Sequence, residues 1–220
     1  KPLEVSQADT RRCIEAFEFF GGLVGNLPSD FYELGAINAE VFLEPYGVVA
    51  GIIPFNWPPL HTGAKIAPAL AAGNTMVVKP GDQAPLSIMK IVEVAQSVLP
   101  EGVLELVVGP GIETGQALTS HPLVKKISFT GSDRSGRAVI KQSADNLTPC
   151  VMELGGKNAF IALDDCDLEQ AVLTAFEGAF YNNGEACTAT SRILVDRKIC
   201  EAFTQRFMAL MDQLVVGDGM

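Results

Sequence analysis

Histidine is scarce in this sequence, with only His61 and His121, and its cysteines form no Cys-x-x-Cys pair. A zinc-type ligand cluster is therefore not written into the chain, and no structural metal is expected. The cysteines themselves (Cys13, Cys150, Cys166, Cys187 and Cys200) are odd in number and scattered. That argues against a disulfide framework and for reduced thiols in a reducing compartment, of which the cytoplasm is the expectation. Basic charge is also short: 16 Lys and Arg stand against 26 Asp and Glu, a formal net charge of -10. Such a balance excludes an ordinary nucleic-acid partner, which calls for clustered cations, and suits a small organic ligand better. No uninterrupted apolar run approaches the roughly 18 residues of a membrane span, so no membrane partner is expected. The chain begins at Lys1 without a basic-then-apolar leader, and its natural N-terminus is expected to lie elsewhere, which leaves organelle targeting open.

What is present is a composition 48% hydrophobic and 19% charged, that of a globular protein with a sizeable core. Ile14, Phe17 and Phe20 recur at helical spacing and make residues 1–30 an N-terminal helical segment, ended or interrupted at Gly21-Gly22. Residues 31–46, between Pro28 and Gly47, alternate in polarity and read as an extended arm or hairpin. An exposed strand of that kind is a natural place for pairing with another subunit.

From residue 47 the rhythm becomes regular. Strands are expected at 48–53, 75–79, 104–108, 126–130 and 150–153, with helices at 58–72, 87–99, 113–120 and 132–143. Short apolar β-type runs alternating with helices predict an α/β, doubly wound parallel sheet, with functional loops at the carboxyl ends of its strands. The pattern restarts at Asn158 with strands at 159–163 and 193–195 and helices at 168–181 and 198–214. A boundary near Gly155-Gly156 separates residues 47–154 from 155–220, and the second unit is too short to close a core comfortably.

Six stretches stand out in the turns between these elements. In Pro54-Phe55-Asn56-Trp57-Pro58, the Asn56 amide offers donors to a developing oxyanion, or else caps the following helix. In Val78-Lys79-Pro80-Gly81-Asp82, Lys79 and Asp82 can hold ribose hydroxyls, or form an ordinary surface turn. Gly109-Pro110-Gly111 through Gly115 only approximates a glycine-rich phosphate loop. Phe129-Thr130-Gly131-Ser132 places Ser132 at a helix start, which suits a pyrophosphate or a plain N-cap. Glu153 precedes two glycines at the end of an apolar strand, where partial burial would suit it to the work of a base. Cys187 stands among Gly184, Ala186, Thr188 and Ala189, a setting open to a substrate. Cys150 sits in a strand. Cys13, Cys166 and Cys200 lie in or beside helices and read as packing residues, and both histidines are assigned to structure.

Taken together and in this order, the motifs at 54–58, 78–80, 129–132, 153–157 and 184–189 resemble the NAD(P)-dependent aldehyde dehydrogenase superfamily over nearly the whole chain. The resemblance implies that residues 47–154 are a Rossmann-like cofactor domain and residues 155–220 the start of a catalytic domain. It implies that Cys187 attacks an aldehyde to give a thiohemiacetal, whose oxyanion is held by the Asn56 side chain and the Cys187 backbone N–H. Hydride then passes to NAD, leaving a thioester that Glu153 hydrolyses by activating water. It further implies that Lys79 and Asp82 hold the adenine ribose and Ser132 the pyrophosphate, with Pro54, Trp57, Gly115, Gly131 and Leu154 along the cofactor. Asp82 replaces a glutamate common in NAD-preferring members, so NAD is the expected cofactor and NADP its alternative. Residues 31–46 resemble the family's oligomerisation arm and imply a homodimer or homotetramer. The resemblance covers neither the family's preceding N-terminal helical part nor its long C-terminal part, so the chain is expected to be a piece of a longer enzyme. Two other readings stay open: a coenzyme A-acylating relative, against which Glu153 argues, and a non-catalytic nucleotide-binding or interaction protein.

Overall fold

A computed structural model describes residues 1–26 and 29–220, and the chain divides into two units, Ala8–Glu153 and Lys1–Gln7 with Leu154–Met220. The first helix, α1 (Leu3–Gly22), absorbs Gly21 and Gly22 as its last two residues rather than breaking at them. The expected arm is a hairpin of β1 (Asp30–Glu33) and β2 (Asn38–Val41), paired antiparallel from Asp30↔Val41 to Glu33↔Asn38. Its strand ends at Val41, ahead of Pro45, and it leaves Phe31, Tyr32, Ile37 and Phe42 exposed. Leu27 and Pro28, at the entry to the arm, lie outside the described residues.

The same unit is built on a five-stranded sheet of β3 (Val48–Ile53), β4 (Thr75–Pro80), β5 (Leu104–Leu106), β6 (Lys126–Gly131) and β7 (Cys150–Leu154). These stand in the order β5-β4-β3-β6-β7, with β3 parallel to both β4 and β6 and β4 parallel to β5. The connections run through α2 (Pro58–Ala71), α3 (Leu86–Gln96), α4 (Gln116–Thr119) and α5 (Asp133–Ser143). The chain winds outward from β3 to β5, then crosses back to β6 on the other side. That reversal opens a crevice beyond the carboxyl ends of β3 and β6, where sheets of this kind bind ligands. Val49, Ile53, Ile66, Met76, Val78, Ile88, Val92 and Leu104 form the core beneath it.

In the other unit the strand expected at 193–195 begins at Thr190 and the helix expected at 198–214 is Cys200–Met211. Between residues 47 and 154, three elements differ from expectation by more than one residue, each for a local reason. The β5 strand stops at Leu106, after which only Val107 N still donates to Val78 O (2.9 Å) before Gly109-Pro110 turns the chain. Helix α3 ends at Gln96, and residues 97–99 tighten into turn bonds such as Val98 N to Ala95 O (3.1 Å). Pro100 disfavours α geometry in the residue before it. The expected helix at 113–120 is a π-helical turn at Gly111–Gly115 that runs into the four-residue α4.

The other unit contains β8 (Asn158–Ala162) and β9 (Thr190–Val195), parallel neighbours joined through α6 (Leu168–Phe180), with α7 (Cys200–Met211) after them. Asp167 caps α6 by accepting from Glu169 N and Gln170 N, both at 3.1 Å. Ala162, Val172, Ala175 and Phe203 form its buried core, with Phe207 stacked on Phe203.

Candidate active site

Asn56 follows β3 on a turn entered from Pro54, and its side chain does not cap the next helix. Its Oδ1 accepts from the adjacent Trp57 N (3.1 Å), while α2 has no side-chain cap at its N-cap position. Pro58 and Pro59 open α2 and have no N–H to satisfy, so the first orphan donor is Leu60 N. Asp9, a buried carboxylate from α1, accepts that bond at 2.7 Å. The capping role that competed for Asn56 thus belongs to Asp9, which no local sequence signal marks because it lies 51 residues away.

At the end of β4, Lys79 is buried and its ammonium pairs with the half-exposed Asp82 carboxylate. The Lys79 hydrogen bond holds the Asp82 carboxyl below its usual range. Asp82 Oδ2 also accepts from Gly111 N at 3.3 Å, which ties the π-helical turn to the same strand end. Lys79 and Asp82 are thus brought together at the end of β4, with the lysine buried rather than on the surface of an ordinary turn. Gly115 is buried at the start of α4, where its carbonyl accepts from Thr119 Oγ1 at 2.9 Å.

Beyond β6, Ser132 is an N-cap with extended backbone, accepting from Ser135 N at 3.2 Å and capping α5. The plain structural reading of its side chain holds, and any anion there would be met by the backbone N–H groups of the first turn. Thr130, just before it, has a buried hydroxyl with no hydrogen-bond partner among the described residues. Sequence reasoning quoted this residue but gave it no task. A buried hydroxyl left unsatisfied at the switch point suits a site that takes a polar ligand. The residues present thus fit a dinucleotide.

Glu153, the penultimate residue of β7, falls on the exposed positions of that alternating strand, so the partial burial expected of it does not occur within this chain. Its charge nonetheless reaches Lys65, a buried lysine of α2 whose Nζ donates to Ser128 Oγ at 2.9 Å. Burial pushes the Lys65 ammonium down to about 8, opposed by the Glu153 charge. Below pH 8 the folded protein therefore holds a buried cation. Stability attributable to this site is complete above 10.5 and is lost as pH falls through 8. Lys65→Met is expected to raise stability at pH 7 by about 1–3 kcal/mol, after allowing for the lost bond to Ser128. Urea unfolding at pH 7 and at 9.5 checks this, because the gain should shrink at the higher pH.

In the other unit, Cys187 is exposed on the turn from Ala186 to Ala189, closed by Ala189 N donating to Ala186 O at 3.1 Å. The other four thiols are placed differently. Burial pushes the Cys13 thiol up to about 11, and Cys150 Sγ donates to Ser143 Oγ at 3.2 Å. Cys166 packs against the core of its unit, while Cys200 is exposed at the first residue of α7 rather than packed as expected. His121 accepts from Leu123 N through Nδ1 at 3.2 Å, a structural task.

A profile described as the aldehyde dehydrogenase family matches residues 1–220. The chain belongs to this family. Among similar aldehyde dehydrogenases, one from Monascus ruber is 51% identical over 220 residues, which are all of this chain and 44% of that protein. A betaine aldehyde dehydrogenase of Vibrio vulnificus is 41% identical over 224 residues, covering all of this chain and 46% of the relative. Among solved structures, a betaine aldehyde dehydrogenase variant from Staphylococcus aureus in complex with NAD+ superimposes with a TM-score of 0.96 at 36% identity. That match covers 100% of this chain and 45% of the other. The α/β fold with a parallel central sheet is therefore that of the aldehyde dehydrogenases, and the chain spans less than half the length of the relatives it matches.

Proposed function

We propose that the intact protein oxidises an aldehyde to a carboxylic acid with NAD. The observation that carries this reading is the exposed Cys187 on its closed turn, in a chain that belongs to the aldehyde dehydrogenase family. The Cys187 thiolate adds to the aldehyde carbon and forms a thiohemiacetal. The Asn56 amide and the Cys187 backbone N–H donate to its oxyanion, each donor worth about 3 kcal/mol in the transition state. NAD, when bound, supplies the acceptor for the hydride that the thiohemiacetal carbon releases. The thioester left on Cys187 is attacked by water as Glu153 takes the water's proton, which frees the acid and the thiol.

Lys79 and Asp82 would hold the adenine ribose, and the carboxylate of Asp82 disfavours a 2′-phosphate, which supports NAD over NADP. Ser132 and the first turn of α5 would meet the pyrophosphate, with Pro54, Trp57, Thr130, Gly131, Gly115 and Leu154 along the rest of the cofactor. The exposed apolar hairpin of β1 and β2 supports a homodimer or homotetramer. Five free cysteines support a reducing compartment, and among the described residues no helix is long and apolar enough to cross a membrane.

Supplying the intact protein with NAD and a short aldehyde should yield one carboxylate per NADH, with no thioester product when coenzyme A is added. A coenzyme A thioester would transfer the protein to the acylating branch. Cofactor binding seen through Trp57 fluorescence, with no turnover of any aldehyde, would leave only a nucleotide-binding module.

A further inference from the structure

The start of β8 lies beside the turn that carries Cys187, and one side chain on it has no assigned task. Asn158 Nδ2 donates to Cys187 O at 2.7 Å and to Ala189 O at 3.3 Å. The register between β8 and β9 slips at this point: Asn158 faces Thr190, while its neighbour Ala159 faces Arg192. Such a bulge re-aims a strand-end side chain, here back along the chain towards the turn. Arg192 secures the other side by donating through Nη2 to the Lys157 carbonyl. Gly156 completes the arrangement, because a Cβ at that position would collide with Cys187 O and come within 2.9 Å of Asn158 Nδ2. The Cys187 carbonyl therefore occupies the space that a side chain at 156 would fill.

We propose that Asn158 is a positioning residue for the nucleophile, its amide fixing the peptide that follows Cys187 so that Sγ and the Cys187 N–H keep one direction. This inference rests on Cys187 being the nucleophile of the proposed dehydrogenase. The bond from Ala189 N to Ala186 O closes the turn but leaves the tip peptide free to rotate about ψ of Cys187. The Asn158 amide bonds the oxygen of that peptide directly, and its second bond to Ala189 O ties both ends of the tip to one rigid strand. A thiol and an oxyanion donor on the same residue must be aimed together, since a displacement of about 1 Å costs on the order of a hundredfold in rate.

The test separates attack by the sulfur from cofactor binding. In the intact protein, p-nitrophenyl acetate acylates the nucleophile without cofactor: the Cys187 thiolate forms a C–S bond and p-nitrophenolate leaves with the electrons of the broken C–O bond. Asn158→Ala, and the isosteric Asn158→Asp, which offers acceptors to the two carbonyls, should slow that burst about tenfold or more. Both should lower kcat for aldehyde oxidation with little change in aldehyde KM or in NAD affinity measured through Trp57. Gly156→Ala, which displaces the same carbonyl by collision, should reproduce the effect and keeps the idea exposed if an Asn158 variant folds poorly. Normal bursts in the Asn158 variants, alongside an inactive Cys187→Ala, would overturn the positioning role and leave the dehydrogenase reading standing. A normal burst in Cys187→Ala would remove that reading and this inference with it.

Discussion

Replacing Cys187 by alanine is expected to lower aldehyde oxidation by the intact protein about ten-thousandfold or more, the scale on which removal of a covalent nucleophile acts. The size of the effect follows from what remains. The oxyanion donor at Asn56 and the carboxylate at Glu153 would still be in place, but neither forms the bond to the aldehyde carbon. Because the proposed thiohemiacetal precedes every later step, both kcat and kcat/KM should fall together. The placement of the five thiols leaves Cys187 and Cys200 as the two exposed ones, and only Cys187 lies on a turn among small residues. Cys13 is buried with its thiol pushed up to about 11, and Cys150 is engaged with Ser143. Cys200 is exposed as Cys187 is, which makes Cys200→Ala the informative control: it should retain full turnover. Steady-state NADH production by the two variants decides the matter. Turnover that survives Cys187→Ala and disappears in Cys200→Ala would assign the chemistry to the wrong thiol here.

A second large effect is expected in stability, at Gly63 of α2. A Cβ built there lies 2.9 Å from both Cα and O of Cys13 and 3.2 Å from the Cβ of Ala16, so the two helices touch backbone to backbone. Contacts with main-chain atoms cannot be relieved by a rotamer change. Gly63→Val must push this part of α1 away from α2, and overpacking of this kind costs about 1–3 kcal/mol. The same movement lengthens the bond from Leu60 N to Asp9 Oδ1, now 2.7 Å, and leaves a buried carboxylate without that donor. Loss of a cap adds about 1 kcal/mol or more. Together these give a destabilisation of about 3 kcal/mol, readable as a lower urea midpoint. Shrinking the Cys13 side chain in a Gly63→Val/Cys13→Ala double variant should restore little, because the collision is with the backbone. An unchanged midpoint in Gly63→Val would contradict the close approach of these helices.

The sequence by itself determined the α/β class, the positions of the strands and the candidate residues Asn56, Lys79, Asp82, Ser132, Glu153 and Cys187. Hydrophobic periodicity and turn chemistry are local properties, and all of these lie at strand ends that such signals mark. Tertiary structure decided what depends on distant partners. It gave the cap of α2 to Asp9 rather than Asn56, because two prolines move the first orphan donor to Leu60, where only a neighbouring helix can reach it. It buried Lys65 beside Ser128, left the Thr130 hydroxyl without a partner among the described residues and left Glu153 exposed, none of which periodicity encodes. It also joined Asn158 to the Cys187 turn across 29 residues, since parallel strands must be brought together by a crossover before their ends can meet.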